Sequence, residues 1–360
     1  MKILYAIQGT GNGHITRSLS MIKELRNHFD VDVLISGTHN ELQLPMEVNF
    51  SYKGLGFVFG KNGGINYKQT FKQNKLSTLY SEIKRLPIEN YAFVISDFEP
   101  VSVWAASFKG IPTIGISNQV SVLHPTFKKP WVKISASRIF LQNYARCDYN
   151  IGLHFEPIDH FIETPIIRSE IRDGLNTDEG FGLVYLPFYS DEKIHTLLKG
   201  IPSLEWKVFS KHSKKAYKDS NIEFIPVENE LFTKSLLGCH LIITAAGFGT
   251  TTEALHLGKK LIVIPMKGQF EQKFNAQMLK KFGVTVLKSI DNTKSATVIN
   301  KVISGPAGYK MNYPDNVGII AQKILAMYNG PIINRLSTPT SPNPQLMDYN
   351  FNPPLNHGNS

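Results

Sequence analysis

Short apolar runs alternate with stretches of helical periodicity along most of the chain. Residues 2–7 form a first apolar run. Residues 15–29 then carry Leu19, Ile22 and Leu25 at helical spacing, and residues 31–35 form a second run. Residues 50–59 read as a β segment broken by Gly54, Gly56 and Gly60. Further strands are predicted at 92–96, 112–116 and 148–153, the last taken as the final strand of the first unit. Helices are predicted at 76–86, ended by Pro87, and at 101–108, ended by Gly110. Residues 154–168, with Pro157 and Pro165, read as a linker. The rhythm then resumes with strands at 182–186, 206–209, 222–225, 241–244 and 260–264, helices between them and a late helix at 317–328. Two successive βα arrays predict an α/β chain with two Rossmann-like, doubly wound parallel-sheet domains facing a cleft, spanning 1–165 and 166–330. After Gly330 the chain turns to Pro, Asn, Ser and Thr, so 331–360 is expected to be a disordered or loosely docked tail.

Two stretches carry candidate chemistry. In the second unit, the run ending at Thr244 leads into Ala245-Ala246-Gly247-Phe248-Gly249-Thr250-Thr251-Thr252-Glu253, and a helical pattern continues to Gly258. A strand, a glycine turn and a helix start make an anion site, because glycines let backbone N–H groups approach and the helix dipole favours negative charge. Thr250 and Thr251 can cap the helix or donate to a phosphate oxygen. Glu253, in the first turn, can accept two ribose hydroxyls. After the next strand, Gln269, Glu271 and Gln272 offer donors and acceptors suited to sugar hydroxyls, and Asn275 opens a helix. Taken by spacing alone, Gly-x-Gly turns and a first-turn Glu are also ordinary helix chemistry. In the first unit, Gly9, Gly11 and Gly13 precede His14. This G-x-G-x-G spacing departs from the dinucleotide fingerprint, since its third glycine comes one place early. Asp97 and Glu99 follow a buried strand, where open α/β sheets bind ligands.

The run Gly247-x-Gly249-Thr250-x-x-Glu253-Ala254, then Gly258-Lys259 and Pro265, then Gln269-x-Glu271-Gln272-x-x-Asn275-Ala276 resembles the donor signature of GT-B glycosyltransferases. The UDP-glycosyltransferases and the peptidoglycan-lipid N-acetylglucosaminyltransferases are the nearest branches, and the match covers about thirty residues in register. The resemblance implies that Glu253 holds the ribose, Glu271-Gln272 the donor sugar and the Gly-Thr turn the diphosphate. It also implies that Phe224 and Ile225 lie against the base, that the Gly11–Gly13 loop with His14 lines the cleft, and that Gly11, Gly13 and Glu99 belong to its acceptor side. Ser96-Asp97-Phe98-Glu99-Pro100, Gly110-Ile111-Pro112 and Asn118-Gln119 resemble one group of poorly characterised prokaryotic GT-B transferases. Thr164-Pro165-Ile166-Ile167-Arg168 resembles the crossing segment of the peptidoglycan-lipid enzymes, which brings Arg168 towards the cleft. Two positions depart from the pattern. Ala245 stands where many relatives have His or Arg on the phosphate, and Pro187-Phe188-Tyr189-Ser190 stands where relatives have a glycine turn.

Composition narrows the setting. With 42% hydrophobic and 19% charged residues the chain is that of a soluble globular protein, and 360 residues suffice for two cores. Two cysteines, Cys147 and Cys239, make neither a disulfide framework nor a metal cluster and suit buried thiols in the cytosol. The N-terminus runs straight into a glycine turn without a signal-like apolar segment, and no 18-residue apolar run is present. Of the net charge of +10, residues 1–150 supply +7 (17 basic, 10 acidic) and the remainder +3 (22 basic, 19 acidic). That asymmetry suits an anionic or lipid-linked acceptor and peripheral contact at the inner face of a membrane, with ordinary solvated faces as the plain alternative. Lys61–Lys75 and Lys128–Arg138 are the basic stretches open to either reading.

These residues point to an inverting, metal-independent transfer from a nucleotide-sugar substrate, UDP-linked by resemblance, with no separate cofactor. His14 is the expected base and Asp97 its orienting partner. The alternative leaves His14 as a cap or positioner, with Asp97 or Glu99 as the base. No Asp-x-Asp metal motif is present. A UDP-sugar 2-epimerase, or a basic nucleic-acid or membrane binder with a vestigial donor site, would share the architecture. The intact Glu253 and Glu271-Gln272 set speaks against the binder, so nucleic acid is not the expected partner.

Overall fold

The structure is a computed structural model. It describes residues 1–10, 12–37, 46–56, 76–127, 136–290 and 293–329. Two seven-stranded sheets organise it. The first holds β1 (Lys2–Gln8), β2 (Asp30–Ser36), β3 (Phe50–Tyr52), β4 (Val94–Asp97), β5 (Thr113–Ser117), β6 (Tyr149–Leu153) and β7 (Ile162–Glu163), in the order β3-β2-β1-β4-β5-β6-β7. Every pairing in it is parallel. The second holds β8 (Phe181–Tyr185), β9 (Glu205–Ser210), β10 (Tyr217–Asp219), β11 (Ile222–Pro226), β12 (Leu241–Thr244), β13 (Lys260–Val263) and β14 (Thr285–Val286), in the order β10-β11-β9-β8-β12-β13-β14. Only β10 on β11 is antiparallel among its pairings. Central strands such as β1 and β12 are buried along almost their whole length, as parallel strands covered by helices on both faces must be.

The strand order reverses twice, between β1 and β4 and between β8 and β12. A crevice opens beyond the strand ends at each reversal. The helix Asn12–Leu25 follows β1 and buries Ile15, Met21, Ile22 and Leu25. The helix Pro100–Lys109 follows β4; Pro100 sits in its first turn and Gly110, at φ 68°, ends it in the left-handed conformation that favours glycine. The helix Phe248–Leu257 follows β12 and stops in the same way at Gly258, at φ 72°. All three elements therefore begin at a crevice.

Two expectations change. Residues 149–153 are not the last strand of the first sheet, because Ile162–Glu163 pairs beyond them inside the stretch read as linker. The late helix Val317–Asn329, grouped with the second unit by sequence order, packs on the Asn12–Leu25 helix. Its Tyr328 ring stands 5.6 Å from Phe93 and 6.3 Å from Phe29. The chain thus crosses between the sheets twice, and the two crossings are tied together. Asn316 Nδ2 donates to the Thr164 carbonyl at 2.6 Å, and Lys323 pairs with Glu163. Apolar packing is continuous through this region, with Phe155 against Phe248 at 5.2 Å. Cys147 and Cys239 are separate buried thiols. No described helix is long and apolar enough to cross a membrane. The basic stretch 61–75, residues 128–135 of the second basic stretch, Gly11 and the 331–360 tail lie outside the described residues.

Candidate active site

The first-sheet side of the site is a charge cluster at the β1/β4 reversal. His14 Nδ1 lies 2.7 Å from Asp97 Oδ1. Sequence reasoning paired these two residues but missed Arg17, three places along the helix from His14 and therefore on its face. Arg17 Nε donates to Asp97 Oδ2 at 2.6 Å, and its Nη2 donates to Oδ1 and lies 2.7 Å from His14 Nδ1. Ser18 adds a hydroxyl to Oδ2 at 3.2 Å. Asp97 is wholly buried. Burial alone would push its carboxyl up, but Arg17 and His14 outweigh this and hold it below the usual carboxylate range. The cluster is an ionised carboxylate clamped by a guanidinium, with an imidazole on its edge. The hydrogen bonds of His14 among the described residues are made through Nδ1.

Phe98 shapes this side. It takes a left-handed backbone, φ 58°, which costs a non-glycine residue on the order of 1 kcal/mol. Its ring lies between Tyr144, at 4.8 Å, and His14, at 6.4 Å, both stacked. Glu99 is not available to a substrate. Its Oε1 accepts from Ser36 Oγ at 2.6 Å and Val101 N–H at 2.7 Å, and its Oε2 accepts from Ser102 N–H at 2.7 Å. It is the buried N-cap of the Pro100–Lys109 helix, which removes it as a direct base and as an acceptor-side group.

The second-sheet side faces this cluster. A Cβ added to Gly249 would lie 3.5 Å from the Cα of Gly13, so the glycine turns after β1 and β12 meet backbone to backbone. Two helices of 14 and 10 residues therefore point their N-termini at one cleft. Gly247 is the N-cap and has open space beside it. The hydroxyls of Thr251 and Thr252 bond back to the carbonyls of Gly247 and Gly249, at 2.6 and 2.8 Å. Thr250 keeps its hydroxyl without a partner among the described residues and lines the cavity.

Glu253 lines the same cavity but is already engaged. Arg168 Nε donates to its Oε1 at 2.6 Å and Nη2 to its Oε2 at 2.9 Å, while Nη1 reaches Asn229 and Thr233. This bidentate pair holds the carboxylate rigid and leaves its outer lone pairs for other donors. It also brings a guanidinium from the crossing segment to the cavity wall.

At the start of the helix Phe270–Lys281, Glu271 accepts from Gln119 Nε2 at 2.8 Å, across from the other sheet. Burial pushes the Glu271 carboxyl up, while the charges of His14 and Arg17 pull against it. Gln272 Oε1 accepts from Met266 N–H at 2.9 Å, and Gln269 is the N-cap residue. Asn275 is fully buried and donates to the Ala246 carbonyl at 3.1 Å, so it braces the glycine turn from behind. Phe224 and Ile225 do not line the cavity. Phe224 is fully buried and stacked on Tyr217 at 4.8 Å, and Ile225 packs into the core. The wall beyond β11 is made instead by Val227, Glu228 and Asn229. Among the described residues, no three His, Cys, Asp or Glu side chains group as metal ligands.

The family model described as glycosyl transferase family 1 matches residues 1–303. None of the curated proteins matches the chain. Solved structures match in fold. The glycotransferase of kitacinnamycin aligns at 15% identity with a TM-score of 0.56, over 93% of this chain and 97% of its own. Acinetobacter baumannii MurG aligns at 16% and 0.53, over 91% and 99%. Phytolacca americana UGT2, complexed with UDP-2fluoro-glucose and pterostilbene, aligns at 14% and 0.55, over 93% of each chain. These are GT-B structures, with the same pair of facing sheets.

Proposed function

Since the chain belongs to glycosyl transferase family 1, we propose that it moves a sugar from a UDP-linked donor to a hydroxyl acceptor with inversion at the anomeric carbon. The observation that carries this reading is the meeting of the two glycine turns, Gly13 with Gly249, which sets His14 opposite the Gly-Thr donor turn. His14 Nε2 takes the acceptor proton while the acceptor oxygen attacks the anomeric carbon. The bond from that carbon to the diphosphate oxygen breaks, and its electron pair leaves with UDP. Asp97, kept ionised by Arg17, fixes His14 through Nδ1. The N–H groups at the start of the Phe248–Leu257 helix, the Thr250 hydroxyl and Arg168 meet the charge of the departing diphosphate without a metal.

Glu253 takes the ribose hydroxyls on its outer lone pairs, and Glu271 with Gln272 takes the sugar. Uridine follows from the family resemblance of these positions and from the UDP-2fluoro-glucose held by the plant neighbour. The basic N-terminal half favours an anionic or lipid-linked acceptor, met at the inner face of a membrane from the cytoplasm. Calorimetric titration with UDP, GDP and dTDP tests the donor reading. UDP is expected to bind best. Absence of binding to any nucleotide by folded protein would overturn it. His14→Ala is expected to keep UDP affinity and lose transfer by at least 100-fold; wild-type turnover in that variant would remove His14 as the base.

A further inference from the structure

Gln119 lies just past the C-terminal end of β5, in the short helix Asn118–Val122, and is 5% exposed. Its amide orientation is fixed by its partner. Nε2 donates to Glu271 Oε2 at 2.8 Å, and a carboxylate oxygen only accepts. That leaves Oε1 as the free end, and it is buried with no donor among the described residues. Across the cleft, Gln269 Oε1, at the N-cap of the helix that carries Glu271, is also buried with no donor among the described residues. A buried amide oxygen left unpaired costs about 1–3 kcal/mol, so each such group calls for an explanation. Both atoms are acceptors, and Gln119 is bonded to a group that carries two more, the Glu271 carboxylate. An unpartnered buried acceptor beside the Glu271 carboxylate calls for a ligand rich in hydroxyl donors. An apolar ligand would leave it unpaired, and an anion would be repelled by Glu271.

We propose that Gln119, a residue of the first sheet, helps determine donor-sugar specificity, with its Oε1 accepting from a hexose hydroxyl next to the one that Glu271 takes. The inference rests on the donor reading given above. A hexose presents neighbouring hydroxyls, each able to donate to one acceptor and accept from one donor. One of them, set on Glu271, would take over part of the bond that Gln119 Nε2 now makes. Its neighbour would fill Gln119 Oε1. An epimer with one of these hydroxyls turned away would leave a buried acceptor unpaired, and sites built to hydrogen-bond a hydroxyl discriminate strongly against its loss. Because Gln119 stands on the opposite sheet from the glycine turn, the nucleotide part of the donor does not depend on it.

The test is a calorimetric comparison of UDP, UDP-glucose, UDP-galactose and UDP-N-acetylglucosamine with wild type, Gln119→Met and Gln119→Ala. The Met variant keeps the length and packing of the side chain while removing both amide groups. UDP affinity should stay within twofold in both variants. The preferred UDP-sugar should lose about tenfold, the effect of one missing hydrogen bond, and the preference between epimers should narrow. A UDP-sugar to UDP affinity ratio unchanged in Gln119→Met overturns the proposal, as does a wild-type protein that binds no UDP-sugar more tightly than UDP. Loss of UDP binding in wild type overturns the donor reading itself, which is a separable result.

Discussion

Arg17 changes what the His14–Asp97 pair means. A buried carboxylate beside an imidazole alone would have to share its charge with that ring, whereas here the guanidinium already neutralises it in bidentate geometry. Removing one partner of a buried pair strands the other, at about 3–5 kcal/mol. Arg17→Ala should therefore lower stability by about 3 kcal/mol in denaturant melts. The double variant Arg17→Ala/Asp97→Asn should recover most of that, because no buried charge is left unpaired. Equal losses in the single and double variants would mean that Arg17 acts by packing. His154 gives a second test. It is 3% exposed, boxed by Phe127 at 5.0 Å and Phe155 at 5.6 Å, and its Nε2 has no partner among the described residues. Burial lowers its pKa to about 4. The unfolded chain, near 6.5, binds the proton first, so stability is intact above pH 6.5 and falls as the pH drops towards 4, by about 3 kcal/mol over that window. Melting temperatures at pH 7 and pH 5 should differ for wild type and differ less for His154→Leu. An equal pH response in the two proteins would show that the ring is not buried neutral. Asp97, whose pKa is lowered, contributes stability that is lost only below the usual carboxylate range, outside this window.

At the scale of elements, the Phe248–Leu257 helix is the donor cradle of the proposed reaction, and its glycines can be told apart. A Cβ on Gly249 would meet Gly13 at ordinary contact distance, whereas Gly247 has no neighbour within 4 Å. Neither glycine has a positive φ, so alanine strains neither backbone. Gly249→Ala should melt within a degree or two of wild type yet weaken UDP binding tenfold or more, since the methyl fills the space a diphosphate would take. Unchanged UDP affinity would place the diphosphate elsewhere. The turn was legible because strand, glycines and helix stop follow one another without a break. Long buried strands were legible too, whereas β7, β10 and β14, of two or three residues, carry no period to read. Phe224 misled for a physical reason. A parallel strand buried on both faces shows apolar residues to both layers, and the cavity wall lies beyond its end, at Val227–Asn229. Glu99 was misread although Pro100 follows it, the mark of a residue capping a helix start. Arg17 and Gln119 could be singled out only by partners 80 and 152 residues away along the chain.

The whole molecule sets the last constraint. The cavity lined by Gly13, Arg168, Thr250 and Glu253 has room of about 50 Å³, whereas ligand pockets run to about 300–1,000 Å³. On the donor reading proposed above, a nucleotide sugar needs more room than this, and the sheets part to admit it. The natural axis for that motion is the pair of crossing segments. There Asn316 holds Thr164, and Arg172 donates to the carbonyls of Tyr313 and Pro314 at 2.8 and 3.0 Å. Hinges of this kind absorb a rotation at a few element-terminal residues while the packed halves stay rigid. The close glycine approach offers a way to lock it. A Cβ at either position would lie 3.5 or 4.0 Å from the other's Cα, which keeps the two Cα atoms within the separation a disulfide spans, up to about 6.8 Å. In Gly13→Cys/Gly249→Cys, oxidation should abolish UDP binding. Reduction should restore it, more weakly than in wild type because two side chains now border the diphosphate. The native cysteines are buried, which keeps the new pair distinct. UDP binding to the oxidised form equal to that of the reduced form would show that the donor enters without parting the sheets, and the glycine contact would then be a fixed floor of the cleft.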